Sequence, residues 1–168
     1  MELVNKGVSV ATKALERLLV IFMWLMVFAV VWQVFTRFVI NSPSVFTDEL
    51  SRYLMMWVGI LGGAYVYALK RHLAIEILSE KVNPRQQLVL NIVISGFVIL
   101  FSAIVLLYGG VHVVTTTLEY NQVSPSLSLF GNNIPMGYIY MVAPISGAFI
   151  VMCAIADILN AITALKNK

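Results

Sequence analysis

Few side chains in this sequence could do acid–base, nucleophilic or metal chemistry. It contains two histidines, His72 and His112, and one cysteine, Cys153. Asp48 and Glu49 are neighbours, but on a helix adjacent side chains point about 100° apart, so their carboxylates do not converge. The lone cysteine cannot form an internal disulfide and is expected to be a small packing residue. We therefore predict no catalytic centre, no cofactor and no metal site.

The two acids favour a simpler interaction with a nearby cation. Asp48 lies four residues and Glu49 three residues before Arg52, and both spacings bring side chains together on one helix face. The simplest interpretation is a local salt bridge, which contributes about 0–1 kcal/mol when exposed. The alternative is that the surplus acid faces a partner protein.

The elements that carry these residues are predicted to be membrane helices. Of the 168 residues, 60% are apolar and 11% are charged, and the mean hydropathy is +0.90. A soluble domain has about a quarter of its residues charged. Since a helix needs about 20 apolar residues to cross a bilayer, we predict an all-α integral membrane protein, one membrane domain over 1–168, with four transmembrane helices at about 18–38, 50–69, 88–111 and 134–156.

The positions of lysine and arginine predict the orientation of the helices. Nine of the eleven lie in the amino tail, the connection between helices two and three, or the carboxyl tail. Positive residues are concentrated on the cytoplasmic side, so both termini are expected there, with a periplasmic loop at about 112–133. Lys70, Arg71 and His72 would anchor helix two at the cytoplasmic headgroups of membrane lipids. A short interfacial helix is expected at about 73–83.

The same topology excludes several function classes. The sequence pI of 9.1 is explained by this charge distribution, so no nucleic-acid partner is implied. His72 and His112 would lie about 30 Å apart across the membrane and could not share a metal or a haem. The four predicted helices contain no ionisable residue near their middles, although such residues mark most ion and proton pathways. Pro144 is expected to kink the fourth helix.

Small and polar residues predict close packing between helices. Gly59 and Gly63 form a small-xxx-small pair in helix two. In helix three, Asn91, Ser95 and Ser102 fall on one face. These surfaces either meet inside a four-helix bundle or face a larger partner protein.

One run of residues resembles a known family. The sequence from Asp48 to Leu78, DELSRYLMMWVGILGGAYVYALKRHLAIEIL, is similar to the signature of the small, DctQ-type membrane subunit of tripartite ATP-independent periplasmic (TRAP) transporters. The matching residues are Glu49, Arg52, Tyr53, Trp57, Gly62, His72 and Glu76. A weaker similarity covers Ser124 to Gly147, where Ser146 interrupts the family's Pro-Ile-Gly pattern and FGNN is more polar than usual.

The resemblance implies an accessory subunit in the bacterial inner membrane. Its partners would be a large TRAP membrane subunit, which moves as an elevator and contains the substrate and sodium sites, and a periplasmic substrate-binding protein. The substrate would be an organic acid, such as sialic acid or a C4-dicarboxylate. This subunit would anchor the large one and help to dock the binding protein. We expect the partner interfaces to include Asp48, Glu49, Arg52, Trp57, Gly59, Gly63, Asn91, Ser95 and Ser102.

Three other functions compete with this one. The runner-up is a stand-alone small membrane transporter or channel, which would require a polar pore. A membrane enzyme or haem protein would require convergent ligands. A structural membrane protein unrelated to transport would show the same packing surfaces.

Overall fold

The computed structural model describes residues 2–69, 84–129 and 132–166. Within them the chain forms long helices, one π-helical segment and one β-hairpin. The predicted anchors Lys70, Arg71 and His72 and the predicted interfacial helix at about 73–83 lie outside the described residues. The elements, in chain order, are α1 (Glu2–Phe38), α2 (Val45–Ala68), α3 (Pro84–Phe101), the π-helical segment (Ser102–Gly109), α4 (Gly110–Glu119), β1 (Val123–Leu129), β2 (Asn132–Pro135), α5 (Met136–Tyr140) and α6 (Val142–Lys166).

The long helices pack in the spatial order α1, α2, α6 and α3. The largest core cluster lies where the first three of these meet, and its buried residues are Leu15, Leu19, Leu61, Ala64 and Val142. A second cluster, formed by Tyr67, Cys153 and Ala154, lies nearer the chain termini. Asn5 and Asn160 exchange amide hydrogen bonds of 3.0 and 3.4 Å, so both ends of the described chain lie at one end of the bundle. We call this the terminal end and the opposite one the hairpin end.

Among the described residues, three helical stretches are long and apolar enough to cross a membrane: Asn5–Phe38, Gln86–Glu119 and Met136–Lys166. The chain is therefore a multi-pass membrane protein. α2 is as long as a membrane span but is not among these three, because charged residues, glycines and tyrosines dilute its apolar character. The fourth crossing and the orientation of the termini remain predictions.

The chain is largely helical, as predicted, but the stretch predicted as a loop at about 112–133 contains the end of a helix and most of a β-hairpin. Helix three continues through α4 to Glu119, and a β-hairpin follows. Valine and threonine have low helix propensity, so the stretch after Val111 does not read as helical. In the structure, the Thr115 and Thr117 hydroxyls donate to the carbonyl groups of Val111 and Val113, four residues back (3.1 and 2.6 Å).

The predicted fourth helix is interrupted at Met141 rather than kinked within one continuous helix. Proline has no N–H to donate, and its ring clashes with the carbonyl group four residues earlier. For Pro144 that carbonyl belongs to Tyr140, the last residue of α5. A Cβ on Gly110 would lie 2.8 Å from the Pro144 ring, so the start of α4 and the start of α6 meet in close contact.

Candidate functional site

The charged residues of the sequence prediction lie in the first turns of α2, at the hairpin end. Asp48 connects α2 to α1, because it accepts a hydrogen bond from the Gln33 amide (2.5 Å). It also pairs with Arg52, whose guanidinium lies 2.5 Å from the Asp48 carboxylate. This confirms the predicted local salt bridge. The Arg52 side chain is 74% exposed, so the pair lies at the surface.

Glu49 points in a different direction and receives hydrogen bonds from the hairpin. Its Oε1 accepts from the hydroxyls of Tyr53 and Ser124, both at 2.6 Å. Its Oε2 accepts from the backbone N–H of Ser126 at 2.9 Å and from the Ser126 hydroxyl. Ser124 is fully buried and also accepts the N–H of Leu127 (3.2 Å). A single carboxylate therefore bonds to α2 and to two residues of β1.

These contacts determine the ionisation of Glu49. Partial burial raises the pKa of the Glu49 carboxyl, but hydrogen bonds from Ser124, Ser126 and Tyr53 stabilise the charged form and lower the pKa from 4.5 to about 2. Glu49 is therefore a carboxylate at neutral pH. It is not suited to act as a proton donor in catalysis or transport.

Trp57 extends the contact between α2 and the hairpin end deeper into the bundle. Its indole N–H donates to the backbone carbonyl of Ile139 in α5 (2.9 Å), and its ring meets the ring of Phe22 edge to face at 5.7 Å. A small cavity of about 190 Å³ lies beside it, lined by apolar residues including Leu127 and Ile134. Further along α2, the Ser146 hydroxyl donates to the Ile60 carbonyl (3.2 Å). Trp57 is thus engaged within the chain.

The glycines of α2 face outward. A Cβ added to Gly59, Gly62 or Gly63 would meet nothing within 4 Å. Gly62 lines an apolar groove of about 750 Å³ between α1 and α2, and Gly63 lines a second groove of about 350 Å³ beside α3. Gly59 and Gly63 are both exposed. Together with Arg52, Met55 and Val66, they form an uncovered strip along α2, which we call the open face.

The predicted residues of helix three lie mostly inside the bundle. Ser95 is buried, and its side chain hydrogen-bonds to that of Tyr67 on α2. Ser102 is also buried, at the start of the π-helical segment, whereas Asn91 is half-buried. For the two serines, this favours packing within the chain over contact with a partner.

Three of the residues that bond to Glu49 or Asp48 were not predicted from the sequence. Ser124, Ser126 and Gln33 were not predicted as site residues, although the segment from Ser124 to Leu129 alternates serine with proline or leucine. Alternation of polar and apolar residues is the pattern of a strand. Nothing local indicates that the serines meet a residue 75 positions earlier in the chain. Among the described residues, no group of three histidines, cysteines or acids could hold a metal ion.

The fold and these contacts define a class of protein: a multi-pass helical membrane protein with a polar network at one end and an open, glycine-containing face on its side. Comparison with known proteins gives the family. Residues 26–164 match the model of the family described as tripartite ATP-independent periplasmic transporters, DctQ component. The chain belongs to this family, as the sequence resemblance indicated.

The relatives are small subunits of the same kind of transporter. A TRAP transporter small permease protein of Haemophilus influenzae is 27% identical over 150 residues, which cover 89% of this chain and 88% of that protein. The sialic acid TRAP transporter small permease protein SiaQ of Vibrio cholerae is 31% identical over 113 residues, which cover 66% of this chain and 65% of SiaQ.

Proposed function

We propose that this chain is the accessory membrane subunit of a binding-protein-dependent importer in the bacterial inner membrane, driven by sodium. Its task is to bind a large membrane subunit and to anchor the part of that subunit that stays still during transport. The family membership supports the transporter assignment. The name of the Vibrio cholerae relative makes sialic acid the first substrate to test among organic acids.

The observation that carries this proposal is the open face of α2. Helices associate closely in membranes where small residues let their backbones approach. Gly59 and Gly63 provide such a surface, and nothing in the described chain covers it. Apolar grooves of about 750 and 350 Å³ border this face and could receive the side chains of partner helices. We assign Gly59, Gly63 and the adjoining Arg52 to the interface with the large subunit.

The hairpin end is proposed to face the periplasm and to contribute to docking of the binding protein. The charge distribution in the sequence supports this orientation, since most lysines and arginines lie near the terminal end or in the connection between α2 and α3. Asp48, Glu49 and Trp57 then belong to the hairpin end, and Ser95 and Ser102 to the bundle that supports it.

Purification followed by reconstitution tests the proposal. The chain, extracted from its native membrane in mild detergent, is expected to bring with it a large polytopic membrane protein identifiable by mass spectrometry. In proteoliposomes with a sodium gradient, sialic acid uptake is expected only when both membrane subunits and the binding protein are present. Uptake by this chain alone would support the stand-alone transporter instead, and full uptake without it would refute the accessory role.

A further inference from the structure

The hairpin is connected to α2 mainly through one side chain. Of its two strands, β1 makes the more extensive contact with α2. The contact includes three hydrogen bonds from Ser124 and Ser126 to Glu49. The Ser126 hydroxyl, which donates to Glu49, also lies 3.4 Å from the Val45 carbonyl. Leu127 adds apolar contact, being buried over the small cavity beside α2.

The hydrogen bonds to Glu49 require a carboxylate, and they leave it little capacity to accept further hydrogen bonds from a partner protein. Each carboxylate oxygen already accepts two hydrogen bonds, counting the one from Tyr53. Ser126 lies in the irregular stretch of β1 between the paired residues Val123 and Ser128, and its N–H donates to the Glu49 carboxylate. A glutamine at this position could accept at one oxygen, but its amide group would present hydrogens to the donors of Ser126.

We propose that Glu49 is a positioning residue that holds the hairpin on α2 in one orientation, so that the periplasmic binding protein meets a preformed docking surface. This inference rests on the proposed function. An isolated two-stranded hairpin is only marginally stable in water, so the bonds to Glu49 add to the order of the hairpin. A surface that is ordered before binding avoids the entropic cost of being ordered by its partner. Glu49 thus acts through β1 and not by touching the binding protein.

The first test measures the order of the hairpin in the assembled membrane complex by amide hydrogen exchange. Glu49→Gln is expected to speed exchange of the Ser126 amide about tenfold or more, since hydrogen bonds to charged groups are among the stronger ones. Asp48→Asn is the matched control, because the neighbouring carboxylate bonds to Gln33 and Arg52 instead of the hairpin. Unchanged exchange in Glu49→Gln would overturn the proposal.

The second test separates docking from the transport cycle. Initial uptake into proteoliposomes is measured against the concentration of binding protein. Glu49→Gln is expected to raise the half-saturating concentration severalfold while the maximal rate stays close to that of the unmodified complex. Asp157→Asn, which changes a carboxylate near Asn5 and Asn160 at the opposite, terminal end of the bundle, is the charge-matched control. A loosened hairpin with an unchanged half-saturating concentration, or a loss confined to the maximal rate, would overturn the proposal.

A variant with Ser124→Ala and Ser126→Ala removes the two hairpin hydroxyls that donate to Glu49. It is expected to reproduce both effects, and combining it with Glu49→Gln is expected to add little, because the three residues act as one unit. If Glu49→Gln prevents assembly of the complex, this double variant replaces it in both tests. Uptake that needs no small subunit at all would refute the proposed function itself, a result distinct from any of these.

Discussion

The two long faces of α2 differ in what they touch. The face that contains Glu49, Trp57 and Ala64 is covered by the hairpin, α5 and α6, and Ala64 is 0% exposed. The face that contains Arg52, Gly59 and Gly63 is not covered by any of the described residues. Residues predicted together as a partner interface are therefore divided between an internal contact surface and a free one. Small residues let helices approach closely, but the side of α2 on which they lie decides whether they pack inside this chain or remain exposed.

Substitutions at adjacent residues on the two faces give the most direct test of whether the faces differ. Ala64→Leu adds three carbons to a position with no free space, and overpacking costs about 1–3 kcal/mol. We expect a lower melting temperature of the isolated chain in detergent. Gly63→Leu is the matched control, because it adds the same side chain next to a groove of about 350 Å³ and replaces a poor helix former. Equal melting temperatures for the two variants would mean that the faces do not differ.

The open face gives a second prediction when the large subunit is present. Gly63→Leu is expected to weaken assembly about tenfold, because the added side chain blocks close helix approach at a cost of about 1–3 kcal/mol. Co-purification of the two subunits at matched expression measures the effect. Normal co-purification would remove Gly63 from the interface and leave its groove exposed to lipid.

The covered face has a predicted dependence on pH. The pKa of Glu49 is lowered in the folded chain from 4.5 to about 2, so the fold favours the ionised form. The stabilisation is present above pH 4.5 and is lost as the pH falls from there toward 2. The difference in melting temperature between the unmodified chain and Glu49→Gln is expected to shrink over this range, since glutamine does not titrate. A difference that stayed constant down to pH 2 would contradict the assignment.

The smallest effect is expected at the exposed salt bridge. Arg52→Ala removes the pair with Asp48, and exposed pairs of this kind contribute about 0–1 kcal/mol. Thermal unfolding in low and high salt measures this contribution. The difference in melting temperature between Arg52→Ala and the unmodified chain should be smaller in high salt, because salt screens the charges. A loss well above about 1 kcal/mol would show that Arg52 does more in the isolated chain than pair with its neighbour.

Several features were predictable because they depend on composition or on local spacing. Apolar length predicts the three described stretches that are long enough to cross a membrane, and the Asp48–Arg52 pair follows from a spacing of four residues on a helix. The family was identifiable from the motif that runs from Asp48 to Leu78, because such a motif is one continuous stretch of sequence. The extension of helix three to Glu119 was not predictable from propensity, because valines and threonines weaken the local signal.

The sequence by itself determined the membrane character and the family, and it indicated which charged and small residues of α2 are candidates for contacts. Only the tertiary structure decided which partner each of them has. Glu49 and Arg52 lie three positions apart, yet Glu49 bonds to serines 75 and 77 positions later in the chain while Arg52 stays exposed. Hydropathy and helical periodicity report the surroundings along one helix, whereas the position of the hairpin depends on how separate helices pack. That packing gives neighbouring acids different roles.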